Sequence, residues 1–455
     1  MQGRKVSQSI SRRLAKASLL AVALVAGACS DGGDEPVQSS VKGGAETAYG
    51  PQAPANPSLG ATGAAAMHGD SGSSDTTPFR GPGLNDLNIT EIDVGGVCSV
   101  IAVGSDGYPV ALCTRIPDAA PVVHLLDRDS GSPLASIEMV PGALLGGVYG
   151  YLDPEDRLVM VDGNADLVRI AHRRNDTVWV LEVEETTALA DAFPAGESVT
   201  SVSPGYGGEV WFATDGGTVG FADTGTGSVE AMQLAEGERI DNSISTAAEG
   251  MAVATTHALY LVTKGDDGTP ELGWLYPYDR GSARKPGQLS WGTGSTPTFF
   301  GPDTGSDFVA IVDNADDVVR LQIVAASGDA AGESVCTVPV LSEGGPGSEN
   351  SPIGAGRSVF VTGTYGYPYP RYPEGAGPSE PAEAEFAGGM TRVDMSEDGS
   401  GCHVVWDIEV LSAAVPKLST ADGRINTCLL YTSDAADEDC LVGVWVGGGG
   451  GGGGG

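Results

Sequence analysis

Carboxylate and amide side chains recur at the ends of apolar runs along this 455-residue chain: Asp162, Asn164 and Asp166, then Asp215, Asn242 and His257, then Asp313, Asn314 and Asp316, then Glu349 and Asn350. Oxygen donors brought together from separate loops are what a hard cation such as Ca²⁺ takes, at roughly 2.3–2.6 Å. Asp313 and Glu349 are the two carboxylates that would ligate such a metal, with Asn242, Asn314 and Asn350 beside them. A cation held there would polarise an ester or lactone carbonyl, which is hydrolase chemistry. Asp and Asn are also good turn formers, because their side chains bond the backbone nearby. Turn chemistry therefore accounts for the same residues without any ligand.

Two further stretches carry groups that recognise rather than react. Tyr278 to Gly294 holds Arg280, Arg284 and Lys285, a basic cluster in a chain with 24 basic against 60 acidic residues. Arg280 and Lys285 suit a ligand carboxylate or phosphate, or else neighbouring acidic loops. Thr364 to Gly388 interleaves Tyr365, Tyr367, Tyr369 and Tyr372 with Gly and Pro. Aromatics on such a loop stack on sugar rings or on a partner's side chains, although a flexible Pro-rich insertion has the same composition. No nucleophile elbow, Walker loop or HExxH motif is present. Of five histidines, His124, His172, His257 and His403 lie in the body, and their spacing builds no Ser-His-Asp arrangement.

The elements that must position these residues are short strands. From Thr296 to Val340 four apolar runs rich in Val and Ile are separated by Gly, Asp and Ser, the pattern of four antiparallel strands. The unit recurs, with starts near residues 98, 148, 200, 243, 295, 350 and 413. A four-stranded repeat of roughly 40 to 60 residues without helical periodicity predicts an all-β protein, a β-propeller. Six blades are readable and a seventh begins at Val415, so closing the sheet ring needs seven or eight. A helix-like piece, Glu185 to Phe193, follows the second blade.

The ends differ from this body. Residues 1–29 carry a basic start, an apolar run too short to span a bilayer, and Val25-Ala-Gly-Ala-Cys29. This resembles a bacterial lipoprotein box, which implies a signal peptide, lipidation of Cys29 and an exported protein anchored to the outer side of the cell membrane. Residues 30–86, rich in Gly, Ser, Ala and Pro, read as a disordered linker, and 87–427 as the propeller. Residues 428–455 resemble a translated sequencing adapter followed by a poly-Gly read tail, which implies that the native C-terminus lies elsewhere. The net charge of −36 and pI near 4.2 argue against nucleic acid and anionic headgroups as partners. Four cysteines belong to the body, and an exported chain pairs them. Cys98 and Cys113 flank a hairpin, while Cys336 and Cys402 occupy matching last strands of successive blades. No CxxC or Cys/His spacing suggests zinc.

Asp127-Arg-Asp-Ser-Gly-Ser132 and Ala222-Asp-Thr-Gly-Thr-Gly-Ser228 resemble the repeat of quinoprotein-type propellers, with Trp406 after such a turn. Their adjacent-cysteine pair and Trp-docking pattern are missing, so no bound quinone follows. Tyr278-Asp-Arg-Gly, Lys285-Pro-Gly-Gln, Gly292-Thr-Gly-Ser-Thr-Pro-Thr298, Asp313-Asn-Ala-Asp316 and Gly401-Cys-His-Val-Val-Trp406 are similar to exported propellers of actinobacterial type. That resemblance spans roughly Asp241 to Leu418 and implies a fold without an activity. The expectation is a lipid-anchored surface propeller that binds or scaffolds a protein or saccharide through the loops around Arg280, Lys285, Asp313, Asn314, Glu349 and Asn350. The rival is an enzyme on the same fold, a metal-assisted hydrolase or lactonase or a quinoprotein-like dehydrogenase, which needs a cation or cofactor at the channel mouth.

Overall fold

A computed structural model describes residues 49–61, 63–82, 91–115, 118–143, 149–430 and 440–446. Cys29 and residues 30–48 lie outside the described residues. The described residues form seven four-stranded sheets, the blades of a seven-bladed β-propeller. Blade one comprises Val97–Val103, Pro109–Arg115, Ala120–Leu126 and Pro133–Glu138, each strand antiparallel to the next. Blades two to six follow in chain order and begin at Tyr151–Leu152, Val199–Pro204, Ser245–Ala247, Thr298–Phe300 and Ile353–Ala355. We letter the four strands of each blade A to D in chain order.

Period-two alternation explains why the middle strands are apolar throughout. In blade three, Val210 and Phe212 pack with blade two while Trp211 and Ala213 pack with blade four. Both faces of a strand are thus buried, one in each neighbouring interface. Apolar clusters join blades one to three, three to four, four to five, five to six and six to seven in this way. Among the described residues no such cluster joins blade seven to blade one.

The main departure from the sequence reading lies in the presumed linker. Residues 49–82 are part of the propeller and run along its axis. Val103 N–H donates to the Ala64 carbonyl in blade one and Leu152 N–H to Ala65 in blade two, both at 2.8 Å. Asn56 Nδ2 donates to Pro204 of blade three (2.8 Å). Thr246, Phe299, Gly354 and Leu418 N–H groups of blades four to seven then donate to Ser71, Gly72, Ser74 and Asp75 in turn, at 2.6–3.0 Å. Every blade bonds this one segment. Its last stretch, Thr76–Thr77, adds a parallel strand inside Lys417–Ser419 of blade seven. Small residues suit this place, since seven inner strands converge there.

Before entering the channel the chain crosses the A–B turns. Tyr49 packs with Ile353, Phe360, Leu418 and Ile425, and the Tyr206 hydroxyl donates to the Pro54 carbonyl at 2.7 Å. Gly356 (φ +58°) is required here, because a Cβ would lie 1.9 Å from the Tyr49 carbonyl oxygen.

Three smaller expectations are also corrected. Glu185 to Phe193 is not a helix: strand Val178–Ala188 runs through it and only Ala190–Ala192 makes a 3-10 turn. Blade seven does not break off, since Lys417–Ser419 pairs with Arg424–Leu430, and Arg424–Leu430 with Cys440–Val446. Its outermost strand, and the last three residues of the strand before it, thus come from the stretch that resembles an adapter. Its fourth strand is the axial one from the N-terminal segment, not a fourth strand outside Cys440–Val446. Both expected disulfides are present, with Cα–Cα separations of 3.8 Å for Cys98–Cys113 and 6.0 Å for Cys336–Cys402. The second ties strand D of blade five to strand D of blade six. Two disulfides fit an oxidising, non-cytoplasmic compartment. Among the described residues no helix is long and apolar enough to cross a membrane.

Candidate functional site

Loops leading into strand A and those joining strands B and C open on the face opposite the A–B turns, and the candidate residues lie there. The Tyr278 to Gly294 loop docks on blades four and five. Asn314 Nδ2 donates to the carbonyls of Arg280 (2.8 Å) and Ala283 (3.0 Å). Asp316 accepts from Ser282 N–H at 2.7 Å. Gly287 closes the far side with φ +82°, a Cβ there falling 1.9 Å from the Thr364 carbonyl oxygen.

Most of the candidate ligands are occupied internally. Lys285 is buried, and its ammonium donates to the Ala315 and Pro346 carbonyls. Burial pushes its pKa down, so it acts as a strut between two blades rather than an open anion site. Both oxygens of buried Asp313 are engaged, by Arg320 N–H (2.7 Å), Ala315 N–H (3.3 Å) and Gln322 Nε2 (2.8 Å). Asn242 donates to the Thr293 carbonyl (2.8 Å) and Asn350 to Thr362 Oγ1 (3.0 Å). Asp162 caps its own turn through Asn164 and Asp166 N–H, and Asp215 accepts from Ser198 N–H. Among the described residues no three His, Cys, Asp or Glu side chains gather as a metal-ligand set. Asp313 and Glu349 have separate partners.

Two places keep unspent capacity. Arg280 reaches the His257 ring and stacks over Trp291 at 3.7 Å, and Arg284 lies 4.7 Å from the Tyr372 ring centre. Trp291 and Tyr372 are 38 % and 40 % exposed, which leaves two exposed aromatic rings on the loop face, backed by half-buried Arg280 and buried Arg284. Tyr367, Tyr369, Tyr372 and Phe386 continue it as a chain of ring contacts 4.9–6.3 Å apart. The 364–388 insertion is thus folded against the body, with Glu380 N–H bonded to the Arg284 carbonyl at 2.8 Å.

The second place is Glu349. Its Oε2 accepts from Leu289 N–H (3.0 Å), while buried Oε1 has no partner. Burial pushes the pKa up to about 8, the neighbouring Asp241 adds to the rise and Arg284 opposes it. The phenols of Tyr149 and Tyr369 lie within electrostatic reach of this carboxyl. Tyr149 also lines a small crevice of about 30 Å³ in the channel, together with His68, Asp70, Ser71, Ser203 and Ser243.

The sequence reading missed the axial residues altogether. Asp75, fully buried, pairs with His68 Nδ1 (2.9 Å) and Lys417 Nζ (2.9 Å). Hydroxyls bolt adjacent inner strands, as Ser201 to Ser243 and Ser203 to Thr246, both at 3.1 Å. The available signal was a recurring Ser/Thr before Pro at the inner strands: Ser203-Pro204, Thr296-Pro297 and Ser351-Pro352.

No protein-family model matches the chain. An uncharacterized protein of Archaeoglobus fulgidus is 33% identical over 125 residues, 26% of this chain and 24% of that protein. The chain thus matches about a quarter of that relative's length. The WD40 domain of coronin from Toxoplasma gondii is similar with a TM-score of 0.47 and 13% identity, over 74% of this chain and 77% of that one. The WD40 repeats of RRP9 have a TM-score of 0.41 and 10% identity, over 74% and 88% of the two chains. Hydrazine synthase of Kuenenia stuttgartiensis has a TM-score of 0.37 and 10% identity, over 60% and 73%.

Proposed function

We propose that this chain is an exported propeller, lipid-anchored through Cys29, which works as a binding or scaffolding module and meets a protein or saccharide partner on its loop face. The observation that carries the reading is the exposed patch of Trp291 and Tyr372 with Arg280 and Arg284 stacked on the rings. Large rigid aromatics beside Arg are the side chains that dominate binding energy at interfaces.

The test is photo-crosslinking from a residue placed at Tyr372 on intact cells, compared with the same probe at Asp303 in an A–B turn. A discrete adduct from position 372, lost in Trp291→Ala, is the expected outcome. Equal or absent labelling from both faces would overturn the reading.

A further inference from the structure

We infer that the loop face recognises an acidic saccharide, with Arg280 receiving its carboxylate and Trp291 the face of its sugar ring. The inference rests on the loop face being the working face and names one class of ligand for it.

Arg280 is held in place without being neutralised. Its guanidinium lies 3.7 Å over the Trp291 ring and donates through Nη1 to His257 Nε2. Both supports are themselves fixed: Trp291 Nε1 donates to the Arg280 carbonyl at 3.0 Å, and His257 Nδ1 meets Thr256 Oγ1 at 2.9 Å. An imidazole that accepts at Nε2 is the neutral form, so neither support carries a charge. Among the described residues no carboxylate pairs with Arg280, and its buried Nε has no acceptor. The other cations of this rim are spent. Arg284 donates to the carbonyls of Gly377 (3.1 Å) and Gln288 (2.6 Å), and Lys285 to those of Ala315 and Pro346. Arg239 pairs with Asp241 at 3.0 Å, and Arg320 lies 3.7 Å from Asp279 and from Asp313. Arg280 is therefore where an anionic ligand finds an uncommitted charge.

Its surroundings decide which kind. A guanidinium covered on one face by a ring offers its hydrogens edge-on, the geometry that a planar carboxylate spans with two parallel bonds. The net charge of −36 opposes any anion at a distance. That repulsion is screened beyond about 8 Å at physiological ionic strength, whereas Arg280 acts in contact. Beside it Trp291 is 38 % exposed and Tyr372 40 %. Flat, partly exposed rings suit the apolar face of a sugar. The chain around Trp291 and Arg280 is small or polar, with Gly281, Ser282, Ser290 and Gly292. It lacks the apolar centre that a stable protein interface is built on.

Titration calorimetry on the full mature chain at about 0.15 M salt tests this, with galacturonate and glucuronate tetramers as probes, each beside its methyl ester. One of the acids should bind saturably and about ten-fold or more tighter than its ester, the worth of one charge-assisted contact. Arg280→Gln should bring acid and ester to the same affinity. Trp291→Ala should weaken the ester as well as the acid, because stacking does not depend on the charge. The acid and ester are compared on the unaltered chain first, so a variant that fails to fold leaves the test standing. No saturable binding of either acid, equal affinities of acid and ester, or an acid preference that survives Arg280→Gln each overturns the proposal. Saturation by a hexaglutamate peptide with both sugars inert also overturns it, and would assign the carboxylate to a protein partner. Failure of the sugars with the Tyr372 adduct intact would fault the ligand class alone, whereas loss of the adduct would fault the loop face itself.

Discussion

Glu349 sets a pH dependence whose direction follows from its burial. Its folded-state pKa of about 8 lies above the ordinary carboxylate value of 4.5. The folded protein therefore holds a proton that the unfolded chain releases, and stability falls as pH rises from the carboxylate range through about 8. A few kcal/mol are at stake, since each tenfold gain in proton affinity on folding is worth about 1.4 kcal/mol. Glu349→Gln, which keeps the shape of the protonated acid, should flatten this slope. Urea midpoints between about pH 5 and 9 read it directly, and parallel curves for variant and wild type would refute the assignment. Asp313, named beside Glu349 as a metal ligand, behaves differently, because three donors of its own blade already hold it. The residue types and the face were legible in the sequence. Which carboxylate is spent and which is left over was not, since that depends on backbone donors whose aim only the folded turns fix.

At the scale of elements, strand positions were legible because each apolar run packs into two interfaces and so stays apolar along its length. Blade three illustrates it: the runs beginning at Val199 and Thr218 start where the strands do. The axial segment was illegible for the opposite reason. Gly, Ser and Ala between residues 56 and 77 have the composition of a chain that cannot bury apolar surface, yet the segment is held by backbone hydrogen bonds to six blades and by the Asn56 amide to blade three. Their one charged anchor is Asp75. Burial works to raise its pKa, and His68 and Lys417 outweigh that and hold it below the usual range. Its stabilising share is therefore present at neutral pH and lost on acidification through that range. Asp75→Ala strands Lys417 and His68 at the axis and should destabilise the whole ring by about 3–5 kcal/mol, the usual cost of breaking a buried pair. A shift confined to one blade's proteolytic protection, with the denaturation midpoint unchanged, would show that the segment is a filler and not the fastening of blade seven to blade one.

For the whole molecule, the direction of the chain into the propeller decides what is presented. Tyr49 lies against the turns of blades six and seven, and Tyr206 meets Pro54 on the A–B face. The described chain thus enters the body from that face, downstream of the proposed anchor at Cys29. A chain of net charge −36 is repelled by anionic headgroups, and under the proposed anchoring the loop face is the one presented outward. A protease site inserted at Gly375 in the 364–388 insertion should then be cut on intact cells well before one inserted at Thr304 in an A–B turn. Cys29→Ser should release the protein to the medium and make the two sites equal. Faster cleavage at Thr304 on intact cells would mean that the propeller faces the other way, with the aromatic patch turned to the membrane and its partner sought there.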